Sequence, residues 1–269
     1  MVAFPPCKIN LGLHVVAKRS DGFHNIETCF YPVPRTDILE VIKSHTTEFT
    51  TSGLPITGLP EDNLCMKAYR LLAADFNLAP VKIHLHKIIP MGAGVGGGSA
   101  DAAYTVRLLN HVFELNLAPH QQQKYALQLG SDCAFFLQDQ PMLAEGRGEI
   151  LSAAPVSLKG KYLVLVKPPV HVATADAYAG ITPVKPVNNL SEVVQLPIDN
   201  WREKLVNNFE PSVFKKFPLI ADLKTRLYAQ GAAYASMSGS GASVFGIFDA
   251  PVNLFHQFAD VDYWAGTLA

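Results

Sequence analysis

The 269-residue sequence carries little charge and no long apolar run, and both absences narrow the kinds of protein that it can encode. Charged residues make up 17% of the chain and the formal net charge is -1. A balance so close to neutral gives no indication of nucleic acid or of an anionic membrane surface as a partner. No apolar run reaches the length of a membrane-spanning helix, and the N-terminus MVAFPPCKIN lacks the features of a signal peptide. With 49% hydrophobic residues, the sequence predicts a globular, cytoplasmic protein.

Cysteine and clusters of metal ligands are scarce as well. The four cysteines are scattered without a C-x-x-C motif, at Cys7, Cys29, Cys65 and Cys133. This spacing favours reduced, buried thiols over a disulfide framework or a zinc site. His84 and His86 share one face of a predicted strand, but no third metal ligand lies nearby in the sequence. We therefore interpret the two histidines as part of a solvated strand face.

Apolar periodicity predicts an α+β protein. CKINLGLHVV and VKIHLHKI alternate as strands do, and in the second Val81, Ile83 and Leu85 face one way. A helix, LCMKAYRLLAADF, follows the capping residue Asn63. Another is expected from Ser99 to about residue 117, with a third between a proline and a glycine at 119–130.

A second unit is expected to begin near residue 155, where KYLVLVKPP reads as a buried strand. Helices are predicted near 201–209 and 211–230, and AAYASMSGSGASVFGIF reads as strand, small-residue loop and strand. We predict two domains, residues 1–155 and 156–269. The sequence of the segment 184–205 gives no indication of its function.

Glycine, by contrast, is concentrated in PMGAGVGGGSADAA, residues 90–103. Five of these fourteen residues are glycine, although glycine costs backbone entropy and offers no side chain to pack. A tight turn between a strand and a helix needs only one or two. Five indicate a loop that presents bare backbone N–H groups at a helix N-terminus, where a polyphosphate binds. Ser99 would cap this helix, or contact a phosphate or a metal.

Two other phosphate-binding loops fit this stretch less well. Gly92, Gly94 and Gly97 match the dinucleotide fingerprint G-x-G-x-x-G, which requires an acidic residue about twenty positions later, at the end of the next strand. That region is here a helix interior, HVFELN. Gly92 and Gly97 also have the Walker A separation, but Gly98 stands where a lysine is required.

Two charged residues allow two interpretations each. Lys8 interrupts an apolar strand start, so its ammonium either reaches water at an edge or points into a cleft. By alternation it shares a face with Asn10. Asp132 follows a helix stop at Gly130 and is either the cap of a new helical turn or a catalytic carboxylate. The residues alone leave both questions open.

Three segments together resemble the motifs of the galactokinase, homoserine kinase, mevalonate kinase and phosphomevalonate kinase (GHMP) superfamily. CKINLGLHV resembles the first motif, PMGAGVGGGSADAA the second and SMSGSGASVFGIF the third. Within the superfamily, RSDGFHNIET, EDNL, LGSDCAFFL and AEGRGEI are similar to the 4-diphosphocytidyl-2-C-methyl-D-erythritol kinases of non-mevalonate isoprenoid biosynthesis. The resemblance extends from about Cys7 to Phe248. Ala100 and Phe23 depart from the pattern, because the family often has serine and tyrosine at these positions.

The resemblance implies a two-domain GHMP-kinase-like fold with the active site in the cleft between the domains. It implies transfer of the γ-phosphate of ATP to the 2-hydroxyl of the cytidyl compound, with Lys8 and Asp132 as the catalytic pair. The residues implied for ATP are Pro90, Met91, Gly92, Ala93, Gly94, Val95, Gly96, Gly97, Gly98, Ser99, Ala100, Asn63 and Lys87. Those implied for the acceptor are Asn10, Phe23, His24, Thr174, Tyr178, Gly239 and Gly241.

Mg²⁺ is expected with ATP, although the sequence offers no clear set of metal ligands. Phosphates, water and Ser99 would hold it, with Asp101 as an indirect contact. The aromatic residues and His24 would stack on and read the cytosine base; without the family, a surface turn and ordinary packing explain them as well. The rivals are a GHMP-type kinase for homoserine or mevalonate, a nucleotide-binding regulator without catalysis, and the oxidoreductase that the glycine fingerprint suggests.

Overall fold

The computed structural model describes the chain from Met1 to Ala269. The strands are β1 (Val2–Ala3), β2 (Pro6–Lys18), β3 (His24–Thr36), β4 (Ile38–Lys43), β5 (Glu48–Gly53), β6 (Val81–Lys87), β7 (Met142–Glu145), β8 (Ile150–Ala153), β9 (Tyr162–Lys167), β10 (Tyr234–Met237), β11 (Val244–Phe248) and β12 (Asp262–Thr267). The helices are α1 (Leu64–Phe76), α2 (Gly97–Val112), α3 (Pro119–Leu129), α4 (Thr174–Ala179), α5 (Leu190–Val193), α6 (Glu210–Lys216) and α7 (Pro218–Ala229). Short 3₁₀ helices lie at Pro60–Asp62, Cys133–Leu137, Ile198–Asn200 and Phe255–Phe258. The α+β class is confirmed.

The chain folds into two compact units, each assembled from separate stretches of sequence. Unit 1 consists of Met1–Cys7, Arg35–Met91 and Gly96–Asp139, and unit 2 of Lys8–Pro34, Gly92–Val95 and Gln140–Ala269. None of the helices combines the length and the apolar character that crossing a membrane requires. All four cysteines are buried, as the sequence predicts, and none of them forms a disulfide.

In unit 1, α2 packs on one sheet of strand order β1-β4-β6-β5, and α1 and α3 pack on α2 and on each other. The predicted alternation of β6 places Val81, Ile83 and Leu85 in the core, and Val106 and Leu109 of α2 pack into the same apolar cluster. Helix α2 ends at Val112, earlier than the predicted residue 117, because Glu114 and Asn116 have positive φ. A left-handed backbone conformation ends the helix there.

Unit 2 contains two sheets, of order β2-β3-β7-β8 and β10-β11-β9-β12, together with α4 to α7. The helix predicted near 201–209 is wrong, because that stretch forms turns and the next helix begins at Glu210. The second predicted helix is present but divided, since Pro218 starts a separate helix directly after α6. The predicted strand–loop–strand at 232–248 is confirmed as β10 and β11.

The compact units do not follow the predicted division at residue 155, which stays a prediction for the two family domains. No sheet crosses that residue. However, Leu13, Val15 and Ile26, from β2 and β3, pack in one core cluster with residues after 160. This shared core places the first two long strands in unit 2.

Candidate active site

The glycine loop is the segment between the end of β6 and the start of α2. Gly92, Gly94 and Gly96 have φ values of 60°, 76° and 71°, a left-handed conformation that residues with a Cβ adopt at a cost. A Cβ on Gly94 would lie 2.2 Å from the carbonyl oxygen of Ser238. Three of the five glycines are therefore required by the path and packing of the loop itself.

The remaining two glycines, Gly97 and Gly98, lie in the first turn of α2 and differ from each other. A Cβ on Gly97 would lie 2.8 Å from Cγ2 of Ile89, so the helix start is packed directly on the residues that precede the loop. A Cβ on Gly98 would have no neighbour closer than 4.0 Å. Gly98 is thus the glycine whose missing side chain leaves open space, which is the property expected of a backbone that a phosphate approaches.

Lys8, on β2, is 5% exposed, so its ammonium does not simply reach water as an edge lysine would. Its Nζ donates to Oδ1 of Asn10 at 2.5 Å and to the carbonyl oxygen of Gly94 at 3.1 Å. The hydroxyl of Ser238 also donates to the Gly94 carbonyl, at 2.9 Å. Within unit 2, the predicted pair Lys8 and Asn10 therefore meets the glycine loop through main-chain and side-chain hydrogen bonds.

Asp132 occupies the position before the 3₁₀ helix Cys133–Leu137, but its side chain makes no capping hydrogen bond. Helix capping therefore does not account for this carboxylate. Ser99 hydrogen-bonds the thiol of Cys133, and burial, together with the charge of Asp132, raises the pKa of that thiol to about 12. Within unit 1 the first turn of α2 thus contacts the segment that carries Asp132. Ser99 does not cap α2, whose N-cap is Gly96.

A cavity of about 200 Å³ lies beside the start of α2 in unit 1. Asn63, Met91, Gly98 and Asp101 line it together with apolar side chains, among them Phe49 and Leu64. Asn63 caps α1 by accepting a hydrogen bond from the backbone N–H of Cys65 at 2.9 Å. The cavity has the mixed lining of a small-molecule site, and it brings together three residues predicted for ATP. Larger polar grooves elsewhere on the surface contain none of the predicted residues.

Lys87, also predicted for ATP, lies apart from this cavity as a buried residue with 1% exposure. Its Nζ donates to Oδ2 of Asp37 at 2.5 Å and to Oδ2 of Asp101 at 2.7 Å. Neither carboxylate was predicted as its partner. The strand alternation could have predicted a buried counter-charge. Lys87 falls on the same face as the buried residues 81, 83 and 85, and a buried ammonium needs an opposite charge beside it.

The aromatic residues predicted for the acceptor do not all meet. The rings of His24 and Tyr178 stack with centroids 4.8 Å apart and an interplanar angle of 20°. The ring of Tyr178 also meets the edge of Phe209, which sequence reasoning missed. Phe23 is 54% exposed, and Cζ of the Arg147 guanidinium lies 5.0 Å from the centroid of the Phe23 ring. Burial raises the pKa of Tyr178.

The third glycine-rich motif packs on the second within unit 2. Gly239 and Gly241 have positive φ, and a Cβ on Gly239 would lie 2.9 Å from the carbonyl oxygen of Gly94. The hydroxyl of Thr174, at the start of α4, lies 3.4 Å from that of Ser240. Thr174 and the two glycines therefore belong to one cluster with the loop residue Gly94.

No group of three or more His, Cys, Asp or Glu side chains is arranged to hold a metal ion. His84 and His86 instead share hydrogen bonds with the hydroxyls of Thr50 and Ser52 on the neighbouring strand. Asp101 is committed to Lys87, and its Oδ1 is buried without a hydrogen-bond partner. A resident metal site built from side chains does not fit these residues, whereas an ion carried in on phosphates needs no such site.

Comparison with known proteins gives two matching family models. The model described as "GHMP kinases N terminal domain" matches residues 63–144, and the model described as "GHMP kinases C terminal" matches residues 191–261. The first match contains the glycine loop and Asp132. The second contains the SGSG loop.

Curated relatives match almost the whole chain. The 4-diphosphocytidyl-2-C-methyl-D-erythritol kinase of Cytophaga hutchinsonii is 50% identical over 258 residues, 96% of each chain. The enzyme of the same name from Parabacteroides distasonis is 47% identical over 271 residues and the whole of both chains. A crystal structure of 4-(cytidine 5'-diphospho)-2C-methyl-D-erythritol kinase superposes with a TM-score of 0.85 at 29% identity, covering 100% of this chain and 99% of that one. A homoserine kinase from Cytophaga hutchinsonii, with a TM-score of 0.72 and 17% identity over 98% of this chain and 95% of its own, shares the fold.

Proposed function

The chain belongs to the GHMP kinase family, and on that premise we propose that it transfers the γ-phosphate of ATP to the 2-hydroxyl of 4-diphosphocytidyl-2-C-methyl-D-erythritol. The observation that carries the choice of acceptor is identity of 47–50% with kinases of that name over nearly their full length. A homoserine or mevalonate kinase is the alternative, and proteins so named resemble this chain at 13–19% identity. The enzyme acts in the cytoplasm, a location supported by four buried cysteines that form no disulfide.

The phosphates of ATP bind at the start of α2, where the missing side chain of Gly98 leaves open space beside the backbone. Helix N-termini and glycine loops offer the donors that a polyphosphate requires. The adenine base occupies the cavity of about 200 Å³ lined by Asn63 and Met91. Ser99 contacts a phosphate or the bound ion. Mg²⁺ enters with ATP, held mainly by phosphate oxygens and water, and neutralises charge on the phosphates.

Asp132 accepts the proton of the acceptor hydroxyl as its oxygen attacks the γ-phosphorus. The new O–P bond forms while the bond from the γ-phosphorus to the β,γ-bridging oxygen breaks, which releases ADP. Lys8 stabilises the negative charge that develops during this step. Support for this role comes from its burial and from its hydrogen bond to the Gly94 carbonyl, which ties the ammonium to the phosphate-binding loop.

The cytidine end of the acceptor binds at Phe23, His24 and Tyr178. Since His24 now stacks on Tyr178, its ring must turn aside for a base to take that face. The imidazole can then hydrogen-bond the edge of the base. Thr174, Asn10 and the two glycines of the SGSG loop complete the acceptor site.

An acceptor panel tests this proposal. The purified protein is incubated with ATP, Mg²⁺ and, in separate reactions, the cytidyl compound, homoserine or mevalonate, and each product is identified by mass. We expect the cytidyl compound alone to gain a phosphoryl group, with one ADP released per product. Equal turnover of homoserine or mevalonate would contradict the acceptor assignment. ATP binding without turnover of any acceptor would favour a regulator instead.

A further inference from the structure

Three charged side chains are buried together at the base of the glycine loop. Asp37, Lys87 and Asp101 are 0%, 1% and 2% exposed, and all three lie in unit 1. The ammonium of Lys87 lies between the two carboxylates, with the 2.5 Å and 2.7 Å hydrogen bonds described above. Burial alone would lower the pKa of Lys87, but the charges of Asp101 and Asp37 outweigh it and raise the pKa. The lysine therefore stays an ammonium ion inside the protein.

The cluster is attached to both ends of the loop, with Asp37 and Lys87 at the strand end and Asp101 at the helix end. Oδ1 of Asp37 accepts hydrogen bonds from the backbone N–H groups of Ile88 and Ile89, the two residues that leave β6 toward the loop. Lys87 is the last residue of β6, and Asp101 belongs to α2, which leaves the loop. The cluster thus connects the strand that enters the glycine loop with the helix that follows it.

The start of α2 rests directly on this connection. A Cβ on Gly97 would lie 3.2 Å from Nζ of Lys87 and 2.8 Å from Ile89. The first turn of α2 is therefore in close contact with both residues, with no room for a side chain between them. A buried ion pair is a poor source of stability, because desolvation offsets much of the attraction. A buried ion pair can instead hold the elements that carry it in one geometry. In this cluster Oδ1 of Asp101 is buried without a hydrogen-bond partner, so the arrangement does not give every polar atom a hydrogen bond.

We propose that Asp37, Lys87 and Asp101 form a clamp that fixes the spacing of the two ends of the glycine loop, and that this spacing sets the affinity for ATP. Lys87 is then a positioning residue that acts through the loop and does not touch the nucleotide. The inference rests on the proposed function, since it concerns binding of the same ATP. It differs from a direct ATP contact because both carboxylates become as important as the lysine.

Two variants separate the clamp from a direct contact. Lys87→Met/Asp101→Asn removes the bridge and leaves the formal charge of the cluster unchanged. The remaining carboxylate, Asp37, keeps its hydrogen bonds from the backbone N–H groups of Ile88 and Ile89. Asp37→Asn keeps the bonds from Ile88 and Ile89 but turns an amide donor toward the Lys87 ammonium. We expect the ATP dissociation constant, measured without acceptor, to rise about tenfold or more in both, because small misplacements of binding groups are costly. The KM for the acceptor should change by less than about twofold.

Lys82→Met is the matched control, because Lys82 lies on the exposed face of the same strand and pairs with Glu48. Its ATP affinity should equal that of the wild type. Thermal unfolding identifies a temperature at which every variant is folded. Wild-type affinity in both variants at that temperature would overturn the clamp and leave a merely structural cluster. Weakened binding in the double variant but not in Asp37→Asn would overturn it in favour of direct contact. Failure of the wild type to bind ATP would overturn the proposed function, and the role of the clamp with it.

Discussion

Lys8 differs from an ordinary strand lysine because its ammonium is bound inside the protein by a side-chain oxygen and a main-chain oxygen. Its aliphatic neighbours in β2 explain the burial but not the charge. The ring of Phe30 lies 5.0 Å from the ammonium, which adds a favourable cation–π contact. Asp132 also lacks a structural explanation, because its carboxylate makes no hydrogen bond that caps the following 3₁₀ helix. Neither an edge position nor a helix cap explains these two residues, and the proposed function assigns both to catalysis.

We expect Asp132→Asn and Lys8→Met each to lower kcat by about 10²–10⁴-fold with ATP affinity largely kept, the range typical of proton-transfer catalysis. If the two act as a unit on one hydroxyl, the double variant should lose less than the product of the single losses. Steady-state kinetics with the cytidyl acceptor measures all three.

The controls are Lys18→Met, at the exposed end of the same strand, and Asp139→Asn, an exposed carboxylate paired with Arg107. Both should keep wild-type kcat. Near-normal turnover in either catalytic variant would sink the assignment of that residue.

At His24 and Tyr178 the stacked geometry allows their roles to be separated. Tyr178→Leu removes the aromatic face, so the KM for the cytidyl acceptor should rise about tenfold or more, since stacking on a base contributes ~1–3 kcal/mol. His24→Ala leaves that face in place but removes the hydrogen-bonding edge, and a polar edge left unpaired costs ~1–3 kcal/mol. This variant should lose discrimination between cytidine and uridine nucleotides as competitors of the acceptor.

Inhibition constants for the two nucleotides measure this discrimination, and the KM for ATP serves as the internal control because it should stay constant. If the His24→Ala protein still prefers cytidine as strongly as the wild type, the imidazole does not recognise the base.

Helix α2 is the element on which the proposed nucleotide binding depends, and its first two glycines give opposite predictions. Gly98→Ala introduces a Cβ into open space at a helical position, so stability should stay equal or rise by up to about 1 kcal/mol. The same methyl group occupies the place where a phosphate approaches, so the ATP dissociation constant should rise about tenfold, or about 1.4 kcal/mol.

Gly97→Ala is the contrasting variant, because its Cβ would meet Ile89 at 2.8 Å and should lower the unfolding temperature. Thermal unfolding and ATP titration of both proteins check the pair. Unchanged ATP affinity in a stable Gly98→Ala protein would exclude a close phosphate contact at this residue.

Helices and strands could be predicted from the sequence where the apolar side chains follow a clear periodicity or where a capping residue marks the start of a helix. Asn63 caps α1 and β6 alternates, as the sequence predicts. Strand β5, EFTTSG, was missed because its side chains are mostly exposed and its pairing with β6 comes from parallel register, which no local pattern encodes. The partnership of Lys87 with Asp37 was missed for a related reason, since Asp37 lies fifty residues away in the chain. Contacts of this range depend on the fold, whereas the motifs that identify the family are local.

At the scale of the whole molecule, each unit is assembled from three segments of the chain, and unit 2 depends on the segment 8–34 near the N-terminus of the chain. The backbone of Leu13 donates to Val206 at 2.9 Å and accepts from Asn208 at 2.8 Å. Leu13, Val15 and Ile26 are almost completely buried in the core of that unit. Burying such side chains contributes roughly 1.5–3 kcal/mol each, which together is comparable with the 5–15 kcal/mol that stabilises a typical domain.

We therefore predict that residues 156–269, expressed alone, do not unfold cooperatively, although they include the whole sheet β10-β11-β9-β12. Without β2 and β3 the fragment exposes the core positions that Leu13, Val15 and Ile26 cover, and the backbone partners of Leu13 near residue 207 lose their hydrogen bonds. Adding residues 8–34 as a separate peptide should restore part of the cooperative transition, whereas a peptide with Leu13→Asp and Val15→Asp should not. Calorimetry and near-ultraviolet circular dichroism measure the transition. A fragment that unfolds by itself at the midpoint of the intact protein would show that the N-terminal strands add no stability to this core.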